Sequence, residues 1–167
     1  MRQIYTFALL LLSASSFAQS AFFVGIGSDS NAVREIIESR AYLKPALGDS
    51  PDLWIRKVYS HQEIKYRFHE GILFSIEDER VFDTKELAEH VAETCKTYLG
   101  LLDFDTKQID DIENADHFVA VTYDKVVEFI LARDKTTEKY TCTLKVTSRR
   151  HGPRMQTESF VAQLTAP

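Results

Sequence analysis

Residues 139–146, Lys-Tyr-Thr-Cys-Thr-Leu-Lys-Val, alternate between polar and apolar side chains: Tyr140, Cys142, Leu144 and Val146 share one parity, Lys139, Thr141, Thr143 and Lys145 the other. A period of two is that of a strand with one buried face. The same alternation over 63–69 sets Ile64, Tyr66 and Phe68 against Glu63, Lys65, Arg67 and His69. Further extended runs are predicted at 53–59, at 72–76 after Gly71, at 117–123, at 126–133 and near 157–164. The short link at Asp124-Lys125 predicts a hairpin.

Two segments change period. Over 83–102, Leu87, Val91, Cys95, Tyr98 and Leu102 recur at helical steps and draw one apolar stripe. Asp83 and Thr84 are candidate N-caps, Glu86 follows three after Asp83, and Gly100 stands where the helix is expected to end. Asp29-Ser30-Asn31 can cap an earlier helix running to about Tyr42, with Val33, Ile36, Ile37 and Arg40 marking its faces. The order is helix, three strands, helix, four strands. Runs of strands joined by short loops indicate antiparallel pairing and an α+β fold, with two helices packed on one face of a curved sheet. That general architecture resembles the cystatin-like and NTF2-like folds. The resemblance rests on no motif and transfers no function.

The N-terminus adds a compartment. Arg2, an apolar run from Ile4 to Leu12, and the small residues of Ser13–Ala18 have the form of a secretory signal peptide, with cleavage after Ala18 or after Ser20. Removing 18 of the 167 residues leaves 149, which is 19–167, the size of one soluble domain. No later apolar run approaches a bilayer span, so no stable membrane anchor is expected. Neither Asn31 nor Asn114 begins a glycosylation sequon, which fits a bacterial periplasm or medium, and the periplasm is the expected compartment.

Export gives the two cysteines a meaning. Cys95 lies in the apolar stripe of the second helix and Cys142 in the inward set of a strand. In an oxidising compartment that pattern predicts a Cys95–Cys142 disulfide joining helix to sheet, closing a loop of 48 residues. Such a bond would contribute about 4 kcal/mol in the chain-entropy model.

Candidate chemistry is sparse. No Gly-x-Ser-x-Gly, Ser-x-x-Lys or Cys-x-x-Cys is present, and His61, His69, His90, His117 and His151 show no metal-ligand spacing. The Gly25-x-Gly27 pair lacks the third glycine of a dinucleotide loop and reads as a flexible lead-in. Glu77, Asp78 and Glu79 read as a solvated turn after a strand. No catalytic residue, cofactor or metal site is therefore assigned.

Charge is more informative. The chain has 20 Lys+Arg against 25 Asp+Glu, a net charge of −5, which argues against a general nucleic-acid binder. Six acids between Asp103 and Asp116 face the single base Lys107. From Lys139 to Thr157 there is no acid, and Arg149, Arg150, His151 and Arg154 cluster around the Gly152-Pro153 turn. These four are the candidate partner-binding residues, since guanidinium groups dock carboxylates or phosphates bidentately. The expectation is a small exported protein-interaction domain: an inhibitor, an immunity-type protector, or an accessory protein of an envelope complex. The alternative is a small-ligand carrier or enzyme with a pocket between sheet and helices, lined by Trp54, Tyr66, Phe68, Phe74 and Tyr140.

Overall fold

The computed structural model describes residues 25–40, 44–45, 50–58, 60–101, 106–109 and 115–153. The signal segment with its cleavage sites after 18 and 20, most of the acidic stretch, Arg154 and the strand expected near 157–164 lie outside the described residues. In chain order the elements are α1 (Ser30–Glu38), β1 (Lys44–Pro45), β2 (Leu53–Val58), β3 (Gln62–His69), β4 (Ile72–Phe82), α2 (Lys85–Leu101), β5 (Thr106–Ile109), β6 (Ala115–Val121), β7 (Lys125–Arg133) and β8 (Tyr140–Ser148).

All described strands join one curved antiparallel sheet in the order β1-β2-β3-β4-β8-β7-β6-β5, and no ladder among them closes it into a barrel. The order follows from the connections. β2, β3 and β4 are successive neighbours. From β4 the chain passes through α2 to the far edge, starts again at β5, and steps back until β8 pairs with β4. Between β3 and β4 the link is Glu70-Gly71, both at positive φ (51° and 76°), as a tight two-residue hairpin requires. Asp134 shapes the β7–β8 turn by accepting from the Thr136 and Thr137 backbone amides at 2.8 and 3.3 Å.

Register decides which side chains share a face. Trp54, Tyr66, Ile76, Val146, Val127 and Ala120 stand opposite one another across β2, β3, β4, β8, β7 and β6. Val33 and Ile37 of α1 pack on the β2–β4 part of that face, with Ile64, Phe68 and Leu73. Ala88, Val91, Ala92 and Cys95 of α2 pack on its β7–β8 part, against Phe129 and Leu144. Both helices therefore cover the same side of the sheet, as the sequence pattern implies. Phe74 is an extra residue in β4, because Arg67 pairs with Ser75 but Phe68 with Leu73. This bulge lets four consecutive residues, Leu73 to Ile76, all be buried.

Several boundaries differ from the sequence expectation. Asp29 caps α1, its carboxylate accepting from the Asn31 and Ala32 amides at 3.0 and 3.1 Å. α1 stops at Glu38 rather than near Tyr42, where the Ser39 hydroxyl donates to the Ile36 carbonyl at 2.7 Å and competes with helix continuation. Thr84 caps α2 by accepting from the Leu87 amide at 3.4 Å, and α2 runs through Gly100 to Leu101. β4 extends past Ile76 to Phe82, so Glu77, Asp78 and Glu79 lie within a strand and not in a solvated turn. Nor is the Gly25–Ser28 segment a loose lead-in. The Gly27 amide donates to Leu73 O at 2.8 Å and the Leu73 amide to Ser28 O at 2.9 Å, tying it to β4.

The expected Cys95–Cys142 disulfide is corrected as well. Both cysteines are buried in the cluster beneath α2, yet both are free. The Cys142 thiol donates to the Ala88 carbonyl at 3.7 Å. The Cys142 sulfur is therefore turned to a backbone carbonyl of α2 and is not bonded to Cys95, whose sulfur would have to lie about 2 Å away. Burial pushes both thiols up to about 12, the neighbouring Cys95 thiol adds to the rise at Cys142, and the Arg80 guanidinium opposes it at both, so both stay protonated small hydrophobes.

Candidate functional site

Three polar arrangements emerge from this framework. The first lies on the helix-covered face. Across β2, β3 and β4 the register sets Arg56 beside Ile64 and Ile64 beside Asp78, with Gln62 and Arg80 in the next row. Asp78 is fully buried, and the Gln62 side-chain amide donates to its two oxygens at 2.9 and 3.1 Å. Arg80 reaches the same carboxylate through Nε and Nη2, both at 3.4 Å. Burial raises the Asp78 carboxyl above its ordinary range, while the Arg80 charge and the two hydrogen-bond donors pull against that rise. Arg56 donates to Ile55 O at 2.8 Å and lies 5.9 Å from the Trp54 ring centre, whose other guanidinium neighbour is Arg34 of α1 at 4.8 Å.

The second occupies the face away from the helices. Lys65, Glu77, Lys145 and Glu128 stand in register across β3, β4, β8 and β7, with alternating sign. Lys65 contacts Glu77 at 2.8 Å and Lys145 contacts Glu128 at 2.9 Å. Partial burial opposes the Lys65 charge, but the hydrogen bond to Glu77 and the carboxylates of Glu77, Glu79 and Glu63 hold its ammonium above the ordinary lysine value. The row is a chain of cross-strand pairs that hold register.

The third is at one end of the molecule, where the β6–β7 hairpin meets the chain leaving β8. Here polarity, rigidity and exposure coincide. Thr122 folds the hairpin: its amide donates to Lys125 O at 2.8 Å and its hydroxyl accepts from the Lys125 amide at 3.1 Å. Ser148 shapes the opposing loop, its hydroxyl accepting from the Arg150 and His151 amides, both at 3.0 Å. The two loops are fastened by Arg149, whose amide donates to Asp124 O at 2.8 Å and whose guanidinium donates to Thr122 O at 2.7 Å. Arg150 lies over the Tyr123 ring, 4.8 Å from its centre. Tyr123 is 83% exposed, far more than any other large hydrophobic side chain among the described residues. Behind the loop, a Cβ on Gly152 would lie 3.0 Å from Phe74, and one on Gly27 would lie 3.5 Å from the His151 ring, so this end is backed by the body of the protein.

The residues singled out from sequence separate accordingly. Arg149, Arg150 and His151 fall together and are exposed, but Arg149 acts as a fastener between loops while Arg150 presents its charge. Of the five pocket candidates, Trp54, Tyr66 and Phe68 pack in the cluster beneath α1, with the Trp54 and Phe68 rings 4.4 Å apart. Phe74 sits at the bulge near His69, and Tyr140 borders the cluster beneath α2. Tyr123 was missed by sequence reasoning, although its place in a two-strand turn was a usable signal. So was the buried Asp78–Arg80 pair, hidden inside a run of charged residues. Among the described residues no cluster of three or more His, Cys, Asp or Glu is arranged to hold a metal, and no helix is long and apolar enough to cross a membrane. Comparison with protein-family models, curated proteins and solved structures finds no match for this chain.

Proposed function

We propose that this chain is a small exported protein-interaction domain, of the inhibitor or immunity type or an accessory protein of an envelope complex, and that it meets its partner through the Tyr123–Arg150 end. The observation that carries this reading is an exposed tyrosine held in place beneath an arginine on two mutually fastened loops. Tyrosine and arginine are, with tryptophan, enriched among the energetic anchors of protein interfaces. Loops that are already ordered lose little conformational freedom on binding, which leaves more of the contact energy for affinity. The N-terminal leader supports delivery to the periplasm, and intact mass of protein recovered there should correspond to cleavage after residue 18 or 20.

The reading as a ligand carrier or enzyme draws less support, since three of its five candidate aromatics pack against one another and against α1. Site-specific photocrosslinking tests the preferred reading. A photoreactive phenylalanine analogue at Tyr123 of the full chain, irradiated in cells of its own source, should give a discrete protein adduct. The same analogue at Thr136, in the turn at the other end of β7, should not. Absence of the Tyr123 adduct, or identical adducts from both positions, would remove the proposal.

A further inference from the structure

We infer that the Tyr123–Arg150 platform takes an acidic protein segment, seating a partner carboxylate on the Arg150 fork; this rests on the interaction reading above. Four side chains set the charge of the platform. Lys125, Arg149 and Arg150 are cationic and His151 adds an imidazole, whereas the one acid in the two loops, Asp124, has its carboxylate accepting from the Thr122 hydroxyl at 3.2 Å. A basic end on a chain of net charge −5 is a local reversal of sign. With Asp124 the one acid of the two loops and its carboxylate held by Thr122, this end complements an acidic surface.

Geometry narrows the chemistry from an anion to a carboxylate within a protein. The Arg150 guanidinium lies over the Tyr123 ring, 4.8 Å from its centre, on an exposed residue. A planar fork of this kind matches a carboxylate with two parallel hydrogen bonds. The Tyr123 ring, 83% exposed, supplies apolar area beside that contact, which a free small anion would leave uncovered. A single-stranded nucleic acid would want several aromatic platforms along a basic groove, and this end presents one.

The test uses the full mature chain and three probes: a capped hexaglutamate peptide, inorganic phosphate and a short oligothymidylate. In amide NMR titrations, hexaglutamate should shift residues 122–125 and 148–151 and weaken as salt rises. Arg150→Ala should weaken it by about tenfold, the loss typical of an anchor contact. Arg150→Lys keeps the charge but loses the fork, and should lose most of the same affinity. Both positions are exposed, so an unchanged amide spectrum elsewhere confirms that each variant is folded. Equal binding by Arg150→Lys, shifts spread over all basic residues, or tighter binding of phosphate or the oligonucleotide would each overturn the inference. The photocrosslink separates this failure from that of the function itself. An adduct at Tyr123 that survives Arg150→Glu means a partner binds there without acidic chemistry, and the inference alone falls.

Discussion

Arg80→Met tests the buried polar row most directly. Arg80 and Asp78 are almost wholly removed from solvent, with side-chain exposures of 9% and 0%. Methionine keeps most of the length and apolar volume of arginine but removes the Arg80 charge from the Asp78 carboxylate. Removing one partner of a buried pair costs about 3–5 kcal/mol. The Arg80–Asp78 contacts are 3.4 Å, longer than strong charge-assisted hydrogen bonds, which places the expected loss near the low end, about 3 kcal/mol at neutral pH. The pH dependence carries the sign. Burial already holds the folded Asp78 pKa above its ordinary 3.8, and loss of the arginine raises it further. Between the ordinary value and the raised one, the folded state keeps a proton that the unfolded state has released, so stability falls as pH rises. The deficit of Arg80→Met should therefore be small near about pH 4 and grow toward about pH 7. Urea unfolding followed by the fluorescence of Trp54, the single tryptophan and a buried one, reads this at each pH. The double variant Asp78→Leu with Arg80→Met should recover part of the loss, since the Asp78 charge is then removed together with that of Arg80. A neutral-pH deficit under about 1 kcal/mol, or one that grows on acidification, would refute the reasoning.

Three further outcomes follow from the same structure. With both thiols pushed up to about 12 and buried, a thiol reagent at mildly alkaline pH should leave native protein unmodified and label two cysteines in urea; rapid native labelling, or no labelling in urea, contradicts the free buried thiols. Asp29→Ala removes the cap of α1 and should lower stability by about 1 kcal/mol in urea unfolding, whereas an unchanged midpoint would mean the cap contributes nothing. Gly152→Ala sets a methyl 3.0 Å from the Phe74 ring, so it should cost about 1–3 kcal/mol and reduce the Tyr123 photoadduct by displacing the loop; a wild-type midpoint and adduct would show that the backing of the platform is not tight.

The parts legible in the sequence were those governed by local period. The alternation over 140–146 is the inward and outward set of β8, and the Asp29 and Thr84 caps are where short polar side chains precede helical runs. The class of fold followed from the order of such elements. What period could not convey was position relative to neighbours. Glu77, Asp78 and Glu79 have three charges in a row, which on composition alone is a turn. In β4 the same run is divided by the pleat, with Glu77 and Glu79 turned to Lys65 and Asp78 to Arg80 beneath the helices. The cysteines show the same limit: the pattern places both inward, but only the tertiary structure shows Cys142 turned to the Ala88 carbonyl and both thiols free.

The basic loop divides along that line too. Sequence by itself determined that Arg149, Arg150 and His151 lie together beyond a strand, because charge and the Gly-Pro turn are local properties. Only the tertiary structure decided that the β6–β7 hairpin arrives beside them, that Arg149 is spent on joining the two loops, and that Tyr123 lies under Arg150. Residues 123 and 150 are brought together by the pairing of β7 with β8, and a pairing between strands is set by register and packing across the whole sheet, not by the residues at its end.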